Sequence, residues 1–266
     1  MSGVEKAFAA ARTEGRGVLV GYLPAGYPSV DGAIDAIRAM VDAGVDVVEV
    51  GAPYSDPVMD GPTIQAAAQA ALDRGVRTAD VLRTVEAVAA TGTPTLVMSY
   101  WNLVERYGVD RFAGDLASAG GAGLITPDLL PDEAGEWLSA SDAHDLDRVF
   151  LVSPSSTDAR LAMTTAHCRG FVYATSVMGV TGARSATSNL APALVERLRA
   201  VTDVPVGVGL GVSNGVQAAE VAEFADAVIV GSALVRRLLD AETAADGVRA
   251  VAALAADLAA GMRGQA

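Results

Sequence analysis

Two carboxylates eleven positions apart, Glu49 and Asp60, are the residues whose types and spacing best suit catalysis in this chain. Glu49 lies within an apolar run, residues 45–51, that predicts a buried strand. A carboxylate in such a strand costs folding free energy unless it has a partner or a chemical role. Asp60 follows in a turn-rich segment that leaves the same strand, so it could face Glu49 across a pocket. The pair suggests acid–base chemistry.

Other common catalytic groups are scarce or badly placed. Lys6 is the only lysine and precedes the first predicted strand, so no strand offers a lysine for a Schiff base. His144 and His167 come shortly before the fifth and sixth predicted strands, and no histidine cluster is available to hold a catalytic zinc. The single Cys168 excludes an internal disulfide and a cysteine metal cluster. We therefore expect no metal site; carboxylates, tyrosine and backbone groups remain as candidates.

The elements that must position the two carboxylates are short apolar runs that alternate with stretches of helical spacing. Eight runs predict strands, at residues 18–23, 45–51, 95–100, 123–126, 148–153, 170–175, 205–209 and 227–231. Helix starts are predicted at residues 28–29, 131–133, 156–158 and 213–214. Eight strands alternating with helices predict one domain, residues 1–266, that folds as an α/β protein with a single (β/α)8 TIM barrel. An open, doubly wound parallel sheet is the alternative.

The composition excludes several classes of partner. The chain has 266 residues, 51% of them hydrophobic, which is enough to bury the core of one barrel of this kind. Its formal net charge of −13 argues against binding to a nucleic-acid backbone or an anionic membrane surface. No apolar run reaches the ~18 residues that a membrane span needs, and the first residues do not resemble a secretory signal. We expect a soluble, cytoplasmic protein.

In a barrel of this kind, function lies on the loops that follow the strands. Three glycine-bearing turns are predicted there, at residues 176–183, 207–213 and 231–233, after the sixth, seventh and eighth strands. Glycine lets backbone N–H groups approach an anion closely, and a helix that begins at the turn adds the positive end of its dipole. Three such turns on adjacent positions of the rim indicate a site for a phosphate monoester.

Several segments together resemble the tryptophan synthase alpha subunit family. They are residues 49–65, 98–102, 127–129, 179–182 and 209–211, and the first of them is highly specific. The resemblance covers nearly the whole chain. It implies a (β/α)8 barrel that cleaves indole-3-glycerol phosphate to indole and glyceraldehyde 3-phosphate. It also implies a heterotetramer, alpha2beta2, in which indole passes to a beta subunit that carries pyridoxal phosphate, with no cofactor in this chain.

The resemblance also assigns roles to single residues. Glu49 and Asp60 match the family's two catalytic carboxylates, and Asp56 matches the loop that faces the beta subunit. The positions that match the substrate site are Tyr22, Tyr100, Tyr173, Thr181, Gly182, Gly211, Gly231 and Ser232. The last four of these match the phosphate site, and Thr181 matches a threonine that contacts the Asp60 position when a lid closes. The lid corresponds to residues 176–189, which we expect to be mobile without ligand.

The implied reaction explains the residue types. Cleavage next to the indole ring is a retro-aldol reaction, in which carbon C3 takes a proton, the ring nitrogen is relieved of positive charge and a side-chain hydroxyl loses its proton. Glu49, desolvated among valines, suits the acid and base that serves the first and last steps. Asp60, on a polar loop, suits the carboxylate that stays ionised near the nitrogen.

The sequence departs from the family at three positions, and it leaves other functions open. Val177 replaces a frequent arginine, Met59 a usual alanine and Tyr54 a common phenylalanine. The nearest alternative is a stand-alone lyase that releases free indole. A phosphosugar isomerase lacks the expected lysine or histidine on the rim, and a barrel retained only as an allosteric partner would not be expected to keep Glu49 and Asp60.

Overall fold

The protein folds as a closed barrel of eight parallel strands. The structure is a computed structural model that describes residues 1–175 and 190–264. Each strand pairs with the next along the chain, and β8 pairs with β1 to close the ring. The strands are β1 Val18–Pro24, β2 Val47–Gly51, β3 Thr95–Met98, β4 Gly123–Thr126, β5 Asp147–Val152, β6 Val172–Thr175, β7 Val206–Gly209 and β8 Ala227–Val230. The predicted TIM barrel is confirmed, and the open-sheet alternative is wrong.

The strands differ from their predicted bounds at several ends. β3 stops at Met98, so Tyr100 lies outside the strand that was predicted to contain it and instead precedes a helix. β5 begins one residue earlier than predicted, at Asp147. β8 ends at Val230, and Gly231 is the residue from which the next helix starts. Such shifts arise because hydrogen bonding to the neighbouring strands, rather than local apolarity, decides where a strand ends.

The described residues contain twelve α-helices, more than one for each strand. They are α1 Gly3–Thr13, α2 Val30–Asp42, α3 Pro62–Asp73, α4 Thr78–Ala89, α5 Trp101–Tyr107, α6 Val109–Ser118, α7 Gly135–Ala143, α8 Asp158–His167, α9 Leu190–Arg199, α10 Gly215–Ala222, α11 Ser232–Leu239 and α12 Ala244–Met262. A short 3-10 helix, Pro131–Glu133, precedes α7. The extra helices precede β1, lengthen the connections after β2 and β3, and complete the ring after β8.

Helix caps account for three of the four helix starts that the sequence predicted; at the fourth, residues 131–133 form a 3-10 helix without a side-chain cap, and α7 begins at Gly135. The side chains of Ser29, Thr157 and Asn214 each accept a hydrogen bond from a backbone N–H in the first turn of α2, α8 and α10. These bonds satisfy donors that have no partner within the helix. Gly44 follows the end of α2 with a φ of 111°, a conformation that favours glycine. Local chemistry therefore defines these helix ends.

The interior of the barrel contains an apolar cluster. Helix α1 closes the lower end of the barrel, where the strands begin. Val4 and Phe8 of α1 are buried against the amino-terminal ends of the strands. The ring of Phe8 lies 5.8 Å from that of Phe171, which in turn lies 6.5 Å from Tyr173. These aromatic contacts extend from the closed lower end to the carboxyl ends of the strands. The interior is therefore filled with apolar side chains at the amino-terminal ends of the strands.

The helices after β1 form the outer layer of the barrel, and their buried apolar side chains belong to the cluster between helices and strands. α2 shows the pattern, because Ile34, Ile37 and Met40 recur at helical spacing and are all buried. α12 packs against α2, α10 and α11. Within residues 1–175 and 190–264, no helix combines the length and apolarity needed to cross a bilayer.

Candidate active site

Glu49 projects into the barrel from the middle of β2. It pairs with Tyr22 of β1 and Leu96 of β3, and Val47, two residues earlier, belongs to the interior cluster. Because side chains alternate along a strand, Glu49 faces the interior as Val47 does. Only 2% of Glu49 is exposed, and its Oε2 atom has no hydrogen-bond partner among the described residues. The carboxyl group is thus buried with one oxygen available to a ligand.

Asp60 is held at the end of the loop that follows β2. Gly61 is the N-cap of α3 and Pro62 begins the helix, where its missing N–H costs nothing. The side-chain amide of Gln65 donates a 2.7 Å hydrogen bond to the carbonyl oxygen of Asp60. Asp60 is buried, with 7% of its surface exposed. The residues that follow Asp60 in the motif therefore build the turn that fixes its backbone.

Tyr100 connects this loop to the rest of the site. Its hydroxyl accepts a 3.0 Å hydrogen bond from the backbone N–H of Met59, the residue before Asp60. Asp128, on the loop after β4, accepts a 2.9 Å hydrogen bond from the backbone N–H of Trp101. This bond ties the start of α5 to the neighbouring loop and fixes Tyr100 as its N-cap residue.

Two further tyrosines, Tyr22 and Tyr173, occupy space that glycines leave free. A Cβ atom added to Gly51 would lie 2.2 Å from the Tyr22 hydroxyl, and one added to Gly209 would lie 2.6 Å from that of Tyr173. A larger residue at either glycine would displace a tyrosine. Gly209 lies in β7, as predicted, and makes room for Tyr173, a packing role that the glycine-bearing turn predicted at residues 207–213 did not indicate.

The two carboxyl groups have different protonation behaviour. Burial raises the pKa of Glu49 to about 8, and the negative charge of Asp60 contributes to the rise. Burial also raises the pKa of Asp60 above its ordinary value, but the nearby Tyr100 hydroxyl opposes that rise. Asp60 therefore ionises first, and Glu49 keeps its proton near neutral pH.

The tyrosine hydroxyls remain neutral donors in this site. Burial is the main cause of a raised pKa for Tyr22, Tyr100 and Tyr173, and the charges of Asp60 and Glu49 add to it for Tyr22 and Tyr173. A phenol next to two carboxyl groups loses its proton less readily, because a third negative charge would be repelled. The site thus combines a protonated Glu49, an ionisable Asp60 and three phenolic donors.

The structure describes only part of the predicted phosphate site. Gly211 follows β7 with a φ of 71°, Gly231 is the N-cap of α11 and Ser232 is its first residue; all three are partly exposed. No side chain caps α11, so its first N–H groups remain available to an anion. The predicted site residues Thr181 and Gly182, the predicted mobile lid and Val177 lie outside the described residues.

A groove of about 480 Å³ lies beside the loop that carries Asp56. Its walls come from this loop, from α3 and α4, and from α5. Asp56 is exposed and accepts a 2.5 Å hydrogen bond from the Ser55 hydroxyl. Val58, on the same loop, is 71% exposed, so this loop presents an apolar side chain to solvent.

The remaining candidate groups lie away from this site. The Nε2 atom of His144, which ends α7, lies 3.5 Å from a carboxylate oxygen of Asp110, and His167 ends α8. Cys168 is buried, and burial raises the pKa of its thiol to about 12. Across the part of the chain that the structure describes, no three His, Cys, Asp or Glu side chains are grouped to hold a metal ion.

A closed parallel barrel with two buried carboxyl groups at the carboxyl end of its strands has the architecture of a (β/α)8-barrel enzyme. The family model described as tryptophan synthase alpha chain matches residues 8–263. The chain belongs to the tryptophan synthase alpha chain family.

Individual relatives agree with the family model. The tryptophan synthase alpha chain of Salinispora arenicola is 66% identical over 263 residues, which cover 99% of this chain and 98% of the relative. That of Acidothermus cellulolyticus is 61% identical with the same coverage. A solved structure of Mycobacterium tuberculosis tryptophan synthase is 56% identical, covers 98% of each chain and gives a TM-score of 0.92. The alpha chain from Legionella pneumophila, 31% identical over 98% of this chain and 97% of that one, gives 0.89.

Proposed function

We propose that Glu49 and Asp60 together catalyse the alpha reaction of tryptophan synthase in this protein. The protein is a lyase of tryptophan biosynthesis that cleaves indole-3-glycerol phosphate to indole and glyceraldehyde 3-phosphate. The observation that carries the residue assignment is a buried Glu49 with a free oxygen and a pKa near 8, within the electrostatic reach of Asp60. Such a pair can hold one proton for transfer and one stable negative charge.

Each carboxyl group has a defined part in the cleavage. The protonated Glu49 gives its proton to C3 of the indole ring, and the positive charge that develops on the ring nitrogen is stabilised by ionised Asp60. Glu49, now a carboxylate, removes the proton from the adjacent side-chain hydroxyl. The carbonyl of glyceraldehyde 3-phosphate forms as the carbon–carbon bond breaks, and the bonding electrons return to the indole ring. Glu49 ends the cycle protonated.

The tyrosines and the rim position the substrate. Tyr22, Tyr100 and Tyr173 line the space next to the two carboxyl groups, where their rings can pack against an indole. The phosphate binds on the rim at Gly211, Gly231 and Ser232, where the uncapped start of α11 offers backbone N–H groups. Thr181 and Gly182 complete this site in our proposal. The binding of both ends of the substrate fixes C3 near Glu49.

The partner in this proposal is a tryptophan synthase beta subunit in an alpha2beta2 heterotetramer. The exposed Asp56 and Val58 beside the groove offer it a charged and an apolar contact. We expect this chain to need no cofactor, since pyridoxal phosphate would belong to the beta subunit, and we expect the assembly to work in the cytoplasm. A stand-alone lyase has less support, because the relatives that match along the whole chain are alpha chains.

An assay of indole release from indole-3-glycerol phosphate tests both parts of the proposal. A beta subunit should raise the rate of the wild-type protein at least about tenfold, through ordering of the site. Asp56→Ala should reduce this activation and leave the basal rate nearly unchanged. Equal losses of the basal and activated rates would place Asp56 in the chemistry. A high rate that no beta subunit changes would favour the stand-alone lyase, and no indole release under either condition would refute the proposed function.

A further inference from the structure

The hydroxyl group of Tyr22 is a buried hydrogen-bond donor without a partner in the protein. Only 6% of Tyr22 is exposed. Within residues 1–175 and 190–264 its hydroxyl makes no hydrogen bond, whereas the hydroxyl of Tyr100 accepts one from the backbone N–H of Met59. A buried hydroxyl without a partner costs free energy, and a ligand that supplies an acceptor removes that cost. The Tyr22 hydroxyl is therefore a candidate contact for a ligand.

The strand register places this hydroxyl between Glu49 and the rim of the barrel. Tyr22 of β1 pairs with Glu49 of β2, and it faces the interior because Val20, two residues earlier, belongs to the interior cluster. A Cβ atom added to Gly51 would collide with the Tyr22 hydroxyl. Gly51 follows Glu49 by two residues on the same face of β2, a distance of roughly 7 Å along a strand. The hydroxyl therefore lies nearer to the carboxyl ends of the strands than Glu49 does.

The other end of the Tyr22 side chain contacts the proposed phosphate site. A Cβ atom added to Gly231 would lie 3.3 Å from Cδ1 of Tyr22 and 3.4 Å from its Cβ. Gly231 is the N-cap residue of α11, whose first N–H groups have no side-chain cap. The side chain of Tyr22 thus extends from the start of the helix proposed to bind phosphate toward the strand that carries Glu49.

The surroundings of the hydroxyl keep it protonated. Burial raises the pKa of Tyr22 well above its ordinary value, and the charges of Asp60 and Glu49 add to the rise. A phenol in such surroundings donates a hydrogen bond and does not give up its proton. Tyr22 is therefore suited to recognise an acceptor on a ligand rather than to act as a third acid or base.

The proposed substrate carries an acceptor at the matching place. In indole-3-glycerol phosphate, three carbons connect the indole ring to the phosphate, and the first two of them each carry a hydroxyl. The first hydroxyl loses its proton to Glu49 during the cleavage, and the phosphate binds on the rim. The second hydroxyl does not react and lies between these two anchors. The Tyr22 hydroxyl lies between the same two anchors.

We propose that Tyr22 is a specificity-determining residue whose hydroxyl donates a hydrogen bond to the second hydroxyl of the glycerol chain. This inference rests on the proposed function, because it takes the substrate and its orientation from it. The bond selects chains that carry a hydroxyl at this carbon, since a deoxy chain leaves the buried phenol unpaired. No proton is transferred, so the contact serves recognition of the chain and not the acid–base steps.

Tyr22→Phe tests the contact, because it removes the hydroxyl and keeps the ring. The variant is assayed with indole-3-glycerol phosphate and with the analogue that lacks only the second hydroxyl, since cleavage of either releases indole. We expect kcat/KM to fall about three- to tenfold for the full substrate, as for one neutral hydrogen bond, and less than about twofold for the analogue. Comparing the two factors cancels any difference in intrinsic reactivity between the substrates. Equal factors would show that the phenol acts on the protein, for example on Asp60, and would overturn the inference.

Tyr173→Phe is the matched control. Tyr173 is also an interior phenol near both carboxyl groups, but it packs against Gly209 rather than against Gly51 and Gly231. This variant should change kcat/KM for the two substrates by the same factor. A selective loss on the full substrate in Tyr173→Phe, together with equal factors in Tyr22→Phe, would assign the contact to Tyr173 instead.

A binding measurement separates this inference from the proposed function. Glycerol 3-phosphate carries the phosphate and the second hydroxyl without the indole ring, and 1,3-propanediol monophosphate lacks that hydroxyl. Calorimetric titration should show that wild type binds glycerol 3-phosphate about three- to tenfold more tightly, whereas Tyr22→Phe binds both equally. Equal affinities in wild type would overturn the contact even if indole is released normally. A wild-type protein that discriminates between the two phosphates but releases no indole would refute the proposed function and support the contact.

Discussion

The two ends of the barrel each bury a carboxyl group, but the two groups have different surroundings and different pKa values. Near the carboxyl ends of the strands, Glu49 is 2% exposed and has a pKa of about 8. At the amino-terminal end of β5, Asp147 is 0% exposed and has a pKa of about 6. Burial is the main cause of both shifts. The comparison therefore concerns what surrounds each group.

Asp147 has neighbours that favour its charge, whereas Glu49 has one that opposes it. The Ser2 hydroxyl and the Arg169 guanidinium, whose Nε lies 3.9 Å from Oδ1, both lower the pKa of Asp147, against smaller opposing effects of Glu5 and Asp145. The pKa of Glu49 is raised further by Asp60. The lower end is also closed by α1. At the closed end, a cation thus stabilises the charged form of the buried Asp147. At the open end, the buried Glu49 stays protonated.

The largest expected effect is on activity. Glu49→Gln should lower kcat by about 10²–10⁴-fold, because a general acid and base is lost, while Asp147→Asn should leave kcat within about threefold of wild type. Steady-state indole release measures both variants, and circular dichroism shows that each remains folded. Tyr173→Phe, at the same end as Glu49, should cost far less than Glu49→Gln. More than about a tenth of wild-type kcat in Glu49→Gln would contradict the assignment.

The next effect is on stability at the closed end. The pKa of Asp147 in the folded protein, about 6, exceeds the ordinary aspartate value of 3.8. The wild-type protein therefore loses stability as pH rises between these values and stays lower above pH 6, by up to ~3 kcal/mol. Asp147→Asn cannot ionise, so it should be more stable than wild type at pH 8 and close to wild type at pH 4. Urea unfolding at both pH values measures the difference, and an equal gain at both would refute this linkage.

The pH dependence of catalysis tests the open end. Glu49 must be protonated to act as the acid, so kcat/KM should fall about tenfold per pH unit above pH 8, where Glu49 loses its proton. Asp147 has already ionised at that pH and should contribute nothing to this limb. A profile of kcat/KM between pH 6 and 10 gives the result. Asp147→Asn should reproduce the wild-type profile, and a limb that moved in this variant would show that the two ends are coupled.

The smallest effect concerns the cation at the closed end. Arg169→Met keeps much of the side-chain packing and removes the charge that lowers the pKa of Asp147. The guanidinium is 29% exposed and also pairs with Asp145, so we expect the free energy of unfolding to fall by about 1 kcal/mol at pH 8. The loss should be smaller in the Asp147→Asn background, which a double-mutant cycle measures. Equal losses in both backgrounds would show that Arg169 does not act on Asp147.

Much of the fold was predictable from local patterns. The alternation of eight apolar runs with helical stretches predicted the barrel, and Ser29, Thr157 and Asn214 marked helix starts through their capping side chains. Glu49 and Asp60 were also predictable as a pair, because a carboxylate in an apolar strand is costly without a role. The substrate roles given to the other residues, and that of Asp56, came from the family resemblance and remain predictions.

Other features depended on contacts between segments far apart in the sequence. Tyr100 was predicted to lie in a strand, and nothing nearby in the sequence indicated that its hydroxyl would reach the backbone of Met59, about forty positions away. Asp147 was not singled out at all. Asp147 is buried because α1 closes the lower end of the barrel. The alternating pattern of residues in β5 does not indicate this contact.

The sequence by itself determined the element types, the helix caps and the family, because these depend on hydrophobic period, side-chain capping and motifs of adjacent residues. Only the tertiary structure decided the environments of the buried carboxyl groups and the space that Gly209 leaves for Tyr173. The physical reason is that pKa values and close packing depend on atoms within a few ångströms. In a closed barrel those atoms come from strands and loops that are distant in sequence.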